Sequence, residues 1–270
     1  MEKKKLNYLL LIGLICIAVN LRAPITAVGP LVPGMKTELP FSSGVFGLLT
    51  TIPLIMFAVF SPFVRRISDF FGAGMTLLYS VCIIALGVVL RSFAGIAGLF
   101  IGTVLLGVGI AVGNVLVPGI IKARFSDRLG LATGAFTVSM TSFAAISAAV
   151  SYPISAISGF GWRNSLAVWL LLSAVGIIVW LPHRSLSLNT AVNLQTQKDE
   201  EQPSIWRSST AWWLTVLMGA QSFLFYFFAA WLPTIVQFKG LSPAQAGYIA
   251  FVFQLSTIPR RFVILRLPRD

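Results

Sequence analysis

The feature that most constrains this 270-residue chain is a series of apolar stretches, each long enough to cross a bilayer as one helix. A hydrocarbon core about 30 Å thick takes roughly 20 apolar residues per helix, because in lipid each segment must satisfy its own backbone amides. Eight stretches qualify, near residues 6 to 33, 44 to 64, 74 to 90, 95 to 121, 131 to 152, 165 to 182, 210 to 236 and 244 to 258. Composition points the same way. With 57% hydrophobic residues, 10% charged residues and a mean hydropathy of +0.88, the chain falls outside the soluble range and is too apolar for disorder. The expected class is an all-α integral membrane protein. Lys3, Lys4 and Lys5 before the apolar run mimic a secretory signal, but Asn20-Leu21-Arg22-Ala23-Pro24 follows without a small-residue cleavage site, so an uncleaved first helix is expected.

Lys and Arg outnumber Asp and Glu by twenty to eight, for a net charge of +12. Sorted by loop with the amino terminus inside, eleven fall on the inner side: Lys3, Lys4, Lys5, Arg65, Arg66, Lys122, Arg124, Arg128, Arg184, Lys198 and Arg207. Four fall outside: Lys36, Arg91, Arg163 and Lys239. This bias satisfies the positive-inside rule and predicts a multi-pass protein of the cell membrane with a cytoplasmic amino terminus. The basic residues therefore report topology, and nucleic acid is not an expected partner; the lipid bilayer and a small-molecule solute are. Cys16 and Cys82 sit in apolar runs and give no disulfide framework, while the lone His183 gives no metal cluster. Neither cofactor nor metal is expected. An enzyme would need titratable groups clustered at one face, which the sequence lacks.

Six spans are joined by short loops before the chain changes character. Residues 183–209 hold Asn189, Gln195, Lys198, Asp199, Glu200 and Glu201, and read as a cytoplasmic linker. The expected organisation is a six-helix half over 1–182, the linker, the start of a second half over 210–258, and an atypical tail over 259–270. Two six-helix halves joined by a long linker are a transporter signature.

Arg22 lies about sixteen residues into the first span, near mid-membrane, where a guanidinium costs at least a few kcal/mol. It cannot shed its proton, and Glu2, Glu38, Asp69, Asp127, Asp199, Glu200, Glu201 and Asp270 all fall in loops or tails. It is expected to face a central cavity and offer its donor fork to an anionic or strongly dipolar solute. The alternatives are an arginine satisfied by carbonyls near Pro24, or one nearer the outer surface. Asn20-x-x-x-Pro24 recurs as Asn114-x-x-x-Pro118 in the fourth span, which favours an inverted repeat; each Asn lies beside a carbonyl that proline frees. Gln221, among aromatics of the seventh span, completes the candidate ligands Arg22, Asn20, Asn114 and Gln221. Gly102, Gly107, Gly109 and Gly113 read as a packing stripe. Thr137, Ser139, Thr141 and Ser142 read as hydroxyls bonded to their own helix. Trp169, Trp180, Trp212, Trp213 and Trp231 read as interfacial anchors.

Asn20 through Leu31, together with Pro118-Gly119-Ile120-Ile121-Lys122-Ala123-Arg124-Phe125, resembles the cyanate and nitroimidazole (CynX/NimT) branch of the major facilitator superfamily. Gly161-Trp162-Arg163-Asn164-Ser165, Gln221-Ser222 and Trp231-Leu232-Pro233 fit it too, and the likeness covers residues 6 to about 259. It implies a major facilitator-type bundle, with one six-helix half plus helix 7 and a partial helix 8, that moves a small cyanate- or nitroimidazole-like solute by alternating access. Transport would be secondary active or facilitative. In the loop between helices 2 and 3, where the superfamily has a gating motif, the chain keeps Asp69 and Gly72. It replaces the motif's first glycine with Arg65 and its basic pair with Ala73-Gly74. The chain leaves the family pattern at Ile258-Pro259 for an Arg-rich tail, which reads as truncation by a shifted frame. The rival expectations are a non-functional product of a damaged gene and, more remotely, a membrane sensor or interaction protein.

Overall fold

The computed structural model describes residues 2–186 and 208–256, and within them every regular element is helical. The first span is three pieces in series: α1 (Glu2–Asn20), α2 (Ala23–Thr26) and α3 (Val28–Glu38). Next come α4 (Ser43–Phe71), α5 (Ala73–Phe93), α6 (Gly95–Arg124) and α7 (Leu129–Ser155). The sixth span is split into α8 (Gly161–Ala167) and α9 (Leu170–Trp180). The expected linker lies almost wholly outside the described residues, as does the tail beyond residue 256. The final pair is α10 (Ser209–Phe238) and α11 (Pro243–Leu255). Seven of the eight expected spans are long and apolar enough to cross a membrane, and α11, with 13 residues, is the exception.

Two boundaries move in ways that matter. The second span runs past residue 64 to Phe71, so Arg65, Arg66 and Asp69 belong to a 29-residue helix rather than a loop. At 1.5 Å per residue that helix is about 43 Å long, enough to carry its charged end beyond the hydrocarbon. The third span runs to Phe93, which places Arg91 in the last turn of α5 and not in an outer loop.

The helices pack through small residues, as lipid-embedded bundles must when tails are as apolar as leucine and close contact replaces the hydrophobic effect. A Cβ on Gly102 would meet the Arg91 backbone and the Gly87 carbonyl; one on Gly107 would meet Pro53 and Met56, and one on Gly109 the Ser80 carbonyl. Gly113 receives the Leu21 side chain. The expected packing role of this stripe therefore holds, with α6 pressed on α5, α4 and α1. Leu14, Ile17, Leu21, Leu77, Ile84, Leu106 and Ile110 fill one core, and Val28, Leu31, Met35, Leu99 and Leu166 a second. Trp180 is fully buried and donates to the Gly74 carbonyl at 2.9 Å, and Trp169 is 5% exposed. These two are core residues, contrary to the anchor expectation. Trp212 and Trp213 are exposed.

The last two helices seat on this bundle. Gly29 of α3 lies against the carbonyls of Ala229 and Ala230 in α10, Gly47 of α4 against the Trp231 ring, and Gly247 of α11 against the Ala148 carbonyl of α7. α11 starts with a full capping box: Ser242 Oγ accepts from the Gln245 amide and Gln245 Oε1 from the Ser242 amide, with Pro243 at the first turn.

Candidate functional site at the break in the first span

Pro24 has no N–H to offer the turn before it, so the helix that begins at Glu2 stops at Asn20. The chain restarts as the four-residue α2 and then as α3. Backbone irregularity at this depth persists only where protein supplies partners, and three neighbouring spans do. Asn20, wholly buried, donates from Nδ2 to the carbonyls of Cys16 (2.8 Å) and Leu172 (3.0 Å), while its Oδ1 accepts from Ser173 Oγ (2.8 Å). That ties the break to α9. Thr26 Oγ1 lies 3.2 Å from the Ala144 carbonyl and 2.5 Å from Ser147 Oγ, tying the break to α7. Arg91 Nη1 donates to the Pro24 carbonyl at 2.8 Å, tying it to α5.

Arg22 sits in the gap between α1 and α2 and points away from these ties. Its guanidinium carbon stands 4.5 Å from the Phe225 ring centroid and 5.1 Å from that of Tyr226, both on α10. Cation–π contact of this kind supplies about 0.5–2 kcal/mol, depending on desolvation. A guanidinium laid on ring faces keeps its in-plane N–H groups available to a planar acceptor. Arg22 makes no ion pair among the described residues, and Glu38, Asp69 and Asp127 are all exposed near helix ends. The Pro24 carbonyl accepts from Arg91, and among the described residues Arg22 donates to no carbonyl near Pro24, so the alternative in which Arg22 is satisfied there is not what the structure holds.

The other candidate ligands do not converge on Arg22. The amide of Asn20 is engaged by α9 and its own helix. Asn114 is half-buried in α6, which stays continuous through Pro118, so the two Asn-x-x-x-Pro motifs differ in local structure. Gln221 is exposed on α10, one turn before Phe225. In the gating motif, Asp69 is exposed in the last turn of α4, and Gly72 makes the turn with φ +81°, where a side chain would be strained. A Cβ on Gly74 would collide with the carbonyls of His183 and Arg184, which explains why no basic side chain stands there. Thr141 bonds back to the Thr137 carbonyl at 2.9 Å, as expected of a packing hydroxyl.

The sequence reading missed four participants: Phe225 and Tyr226 of α10, Arg91 of α5, and Gln254 of α11. Gln254 is buried and donates to the Ala144 carbonyl at 3.1 Å, the same oxygen that faces Thr26. Its signal was present, since an amide inside an apolar stretch needs a partner. At one bundle end Arg163 stacks on Trp162 (4.2 Å) and pairs with Glu38, beside a cavity of about 660 Å³ lined by Phe93, Ser155 and Asn164. A second cavity of about 280 Å³ lies among Tyr8, Arg124, Asp127 and Arg128.

The profile of the Major Facilitator Superfamily matches residues 10–269, and so runs through the tail that reads as atypical. The chain is 39% identical over 265 residues to an uncharacterized transporter, YycB, of Bacillus subtilis (strain 168), covering 97% of this chain and 64% of that protein. It is 35% identical to the 2-nitroimidazole transporter of Escherichia coli (strain K12), covering 94% and 64%, and 25% identical to that organism's cyanate transport protein CynX, covering 91% and 63%. The chain thus spans less than two thirds of the length of these relatives. Its backbone superposes on the crystal structure of a D-xylose-proton symporter with a TM-score of 0.72 at 11% identity, over 93% of this chain and 66% of that one. That likeness speaks for the fold.

Proposed function

The chain belongs to the major facilitator superfamily, and on that footing we propose that it carries a small anionic or strongly dipolar solute across the cell membrane by alternating access. The observation that carries this reading is Arg22: a cation in the broken part of a membrane span, without an ion pair among the described residues, held on the faces of Phe225 and Tyr226. The first six spans form one half and α10 with α11 begin the other, so Arg22 lies where the two meet. A planar acceptor such as cyanate, nitrite or a nitro group can take two in-plane N–H bonds from a guanidinium. The aromatic faces beside it favour flat, polarisable solutes over branched ones. The relatives' names support the same class, since they describe carriers of cyanate and 2-nitroimidazole.

The positive-inside bias supports a cytoplasmic amino terminus. The described carboxylates Glu38, Asp69 and Asp127 are all exposed near helix ends, so a proton taken up by a buried acid of these helices is not part of the reading.

The test is uptake of radiolabelled 2-nitroimidazole, cyanate and nitrite into proteoliposomes holding the chain, with Arg22→Ala and Arg22→Lys alongside. Loss of a charge-assisted bidentate contact, worth about 1.5–3 kcal/mol, predicts a fall of about tenfold or more for Ala and a smaller fall for Lys. Transport unchanged in both variants removes Arg22 from the mechanism. A chain that moves none of the three solutes overturns the proposed solute class.

A further inference from the structure

Arg91 is the most constrained charge in the molecule that the proposed function leaves unused. It is 2% exposed, stands in the last turn of α5, and makes one protein hydrogen bond, from Nη1 to the Pro24 carbonyl. Its Nε and Nη2 have no acceptor among the described residues. A guanidinium cannot be neutralised by losing a proton, and burying one on a single carbonyl is costly. A leucine or methionine would fill the space without that cost. The position is also rigid: Gly102 of α6 lies against the Arg91 backbone and Cβ, and the Gly87 carbonyl presses on the same glycine. One short bond therefore runs from a fixed platform to the break in the first span, two residues from Arg22.

We propose that Arg91 is a positioning residue: it holds the Pro24 turn so that Arg22 is aimed at Phe225 and Tyr226. Asn20 anchors the near side of the break to α9 and Thr26 anchors the far side to α7; the Pro24 carbonyl, midway between, is anchored by Arg91. Without that bond α2 can swing about the two outer ties, and the guanidinium of Arg22 swings with it. A lysine can reach the same carbonyl with one donor, so Arg91→Lys keeps the brace and Arg91→Gln or Arg91→Met loosens it. The consequence for solute recognition rests on the proposed role of Arg22, whereas the brace itself does not.

The experiment has two arms. In a chain with Cys16→Ala and Cys82→Ala, a Gly29→Cys, Ala230→Cys pair reports how α3 sits on α10, since Gly29 lies against the Ala230 carbonyl. Oxidative cross-linking is expected to fall severalfold with Arg91→Gln and to recover with Arg91→Lys, with unfolding temperature measured in parallel so that Lys and Gln variants of equal stability are compared. Unchanged cross-linking in Arg91→Gln overturns the proposal. In the second arm, Arg91→Gln is expected to raise KM for 2-nitroimidazole uptake about tenfold, the worth of about one hydrogen bond, with kcat within about twofold, and to change nothing further when Arg22 is already Ala. Equal, additive losses in kcat with and without Arg22 overturn the positioning role even if the cross-link falls. If cross-linking falls while Arg22→Ala transports normally, the brace stands and the proposed role of Arg22 fails instead.

Discussion

The first and seventh spans meet at Arg22, and they solve the same problem in opposite ways. Of the most apolar stretch of the first span 67% is buried, and of the seventh 6%. The first is broken between Asn20 and Ala23 and again at Ala27, and carries Asn20, Arg22 and Thr26. The seventh is one 30-residue helix, α10, continuous through Pro233 and lined with Phe223, Phe225, Tyr226, Phe227 and Phe228. Lipid cannot hydrogen-bond a freed carbonyl, so a span is interrupted only where neighbours take its orphaned groups, as α5, α7 and α9 do for the first span. The interruption then becomes the place where polar chemistry concentrates. Helix 1 supplies the charge; helix 7 supplies only ring faces.

The contrast breaks most severely where backbones touch. Gly102→Leu is expected to abolish recovery of monodisperse protein in detergent, because the added side chain meets the α5 backbone and no rotamer relieves it. Gly219→Leu, on the open face of α10 with nothing within 4 Å, is expected to purify as the parent does. Next in size is Asn20→Leu. It deletes three hydrogen bonds and leaves Ser173 Oγ without its Asn20 partner, and is expected to cost about 2–4 kcal/mol in thermal unfolding. Gln221→Leu, exposed on α10, is expected to shift stability by less than about 0.5 kcal/mol.

Two smaller effects sharpen the comparison. Thr26→Val keeps the shape but loses the contacts to Ala144 and Ser147, with an expected loss of about 1–2 kcal/mol in the same unfolding assay. Phe225→Leu keeps the apolar volume and removes the ring face under Arg22, so solute KM is expected to rise about three- to tenfold with little change in unfolding temperature. A stability loss in Phe225→Leu larger than in Thr26→Val would make the Phe225 ring a packing group rather than a support for Arg22.

Much of the fold was legible in the residues. Span length, the glycine stripe and the isolation of Arg22 follow from local composition. The errors have particular causes. Local pattern groups Asn20 and Arg22 as ligands, yet residues two apart point to nearly opposite sides of a helix, and the structure puts Asn20 against α9 and Arg22 against α10. Arg91 reads as a loop charge because Leu90-Arg91-Ser92 stands at a span end; the connection to α6 is in fact Ala94 alone, so the arginine is pulled inside. Asp69 and Gly72 read as one loop, but only Gly72 turns the chain. Trp180 matched the anchor pattern by position, but its indole N–H is spent on Gly74 in the core.

The sequence alone determined the solvent, the places of the long apolar spans and the presence of one charge deep in the first of them, because each is a property of a stretch of twenty residues or of a single side chain. Which carbonyl takes Arg91, which rings lie under Arg22 and which neighbour holds Asn20 were decided only by tertiary structure. Those partners stand 67, about 200 and 152 residues away along the chain, and a hydrogen bond or a ring contact is specified by where two helices meet, which no local pattern encodes.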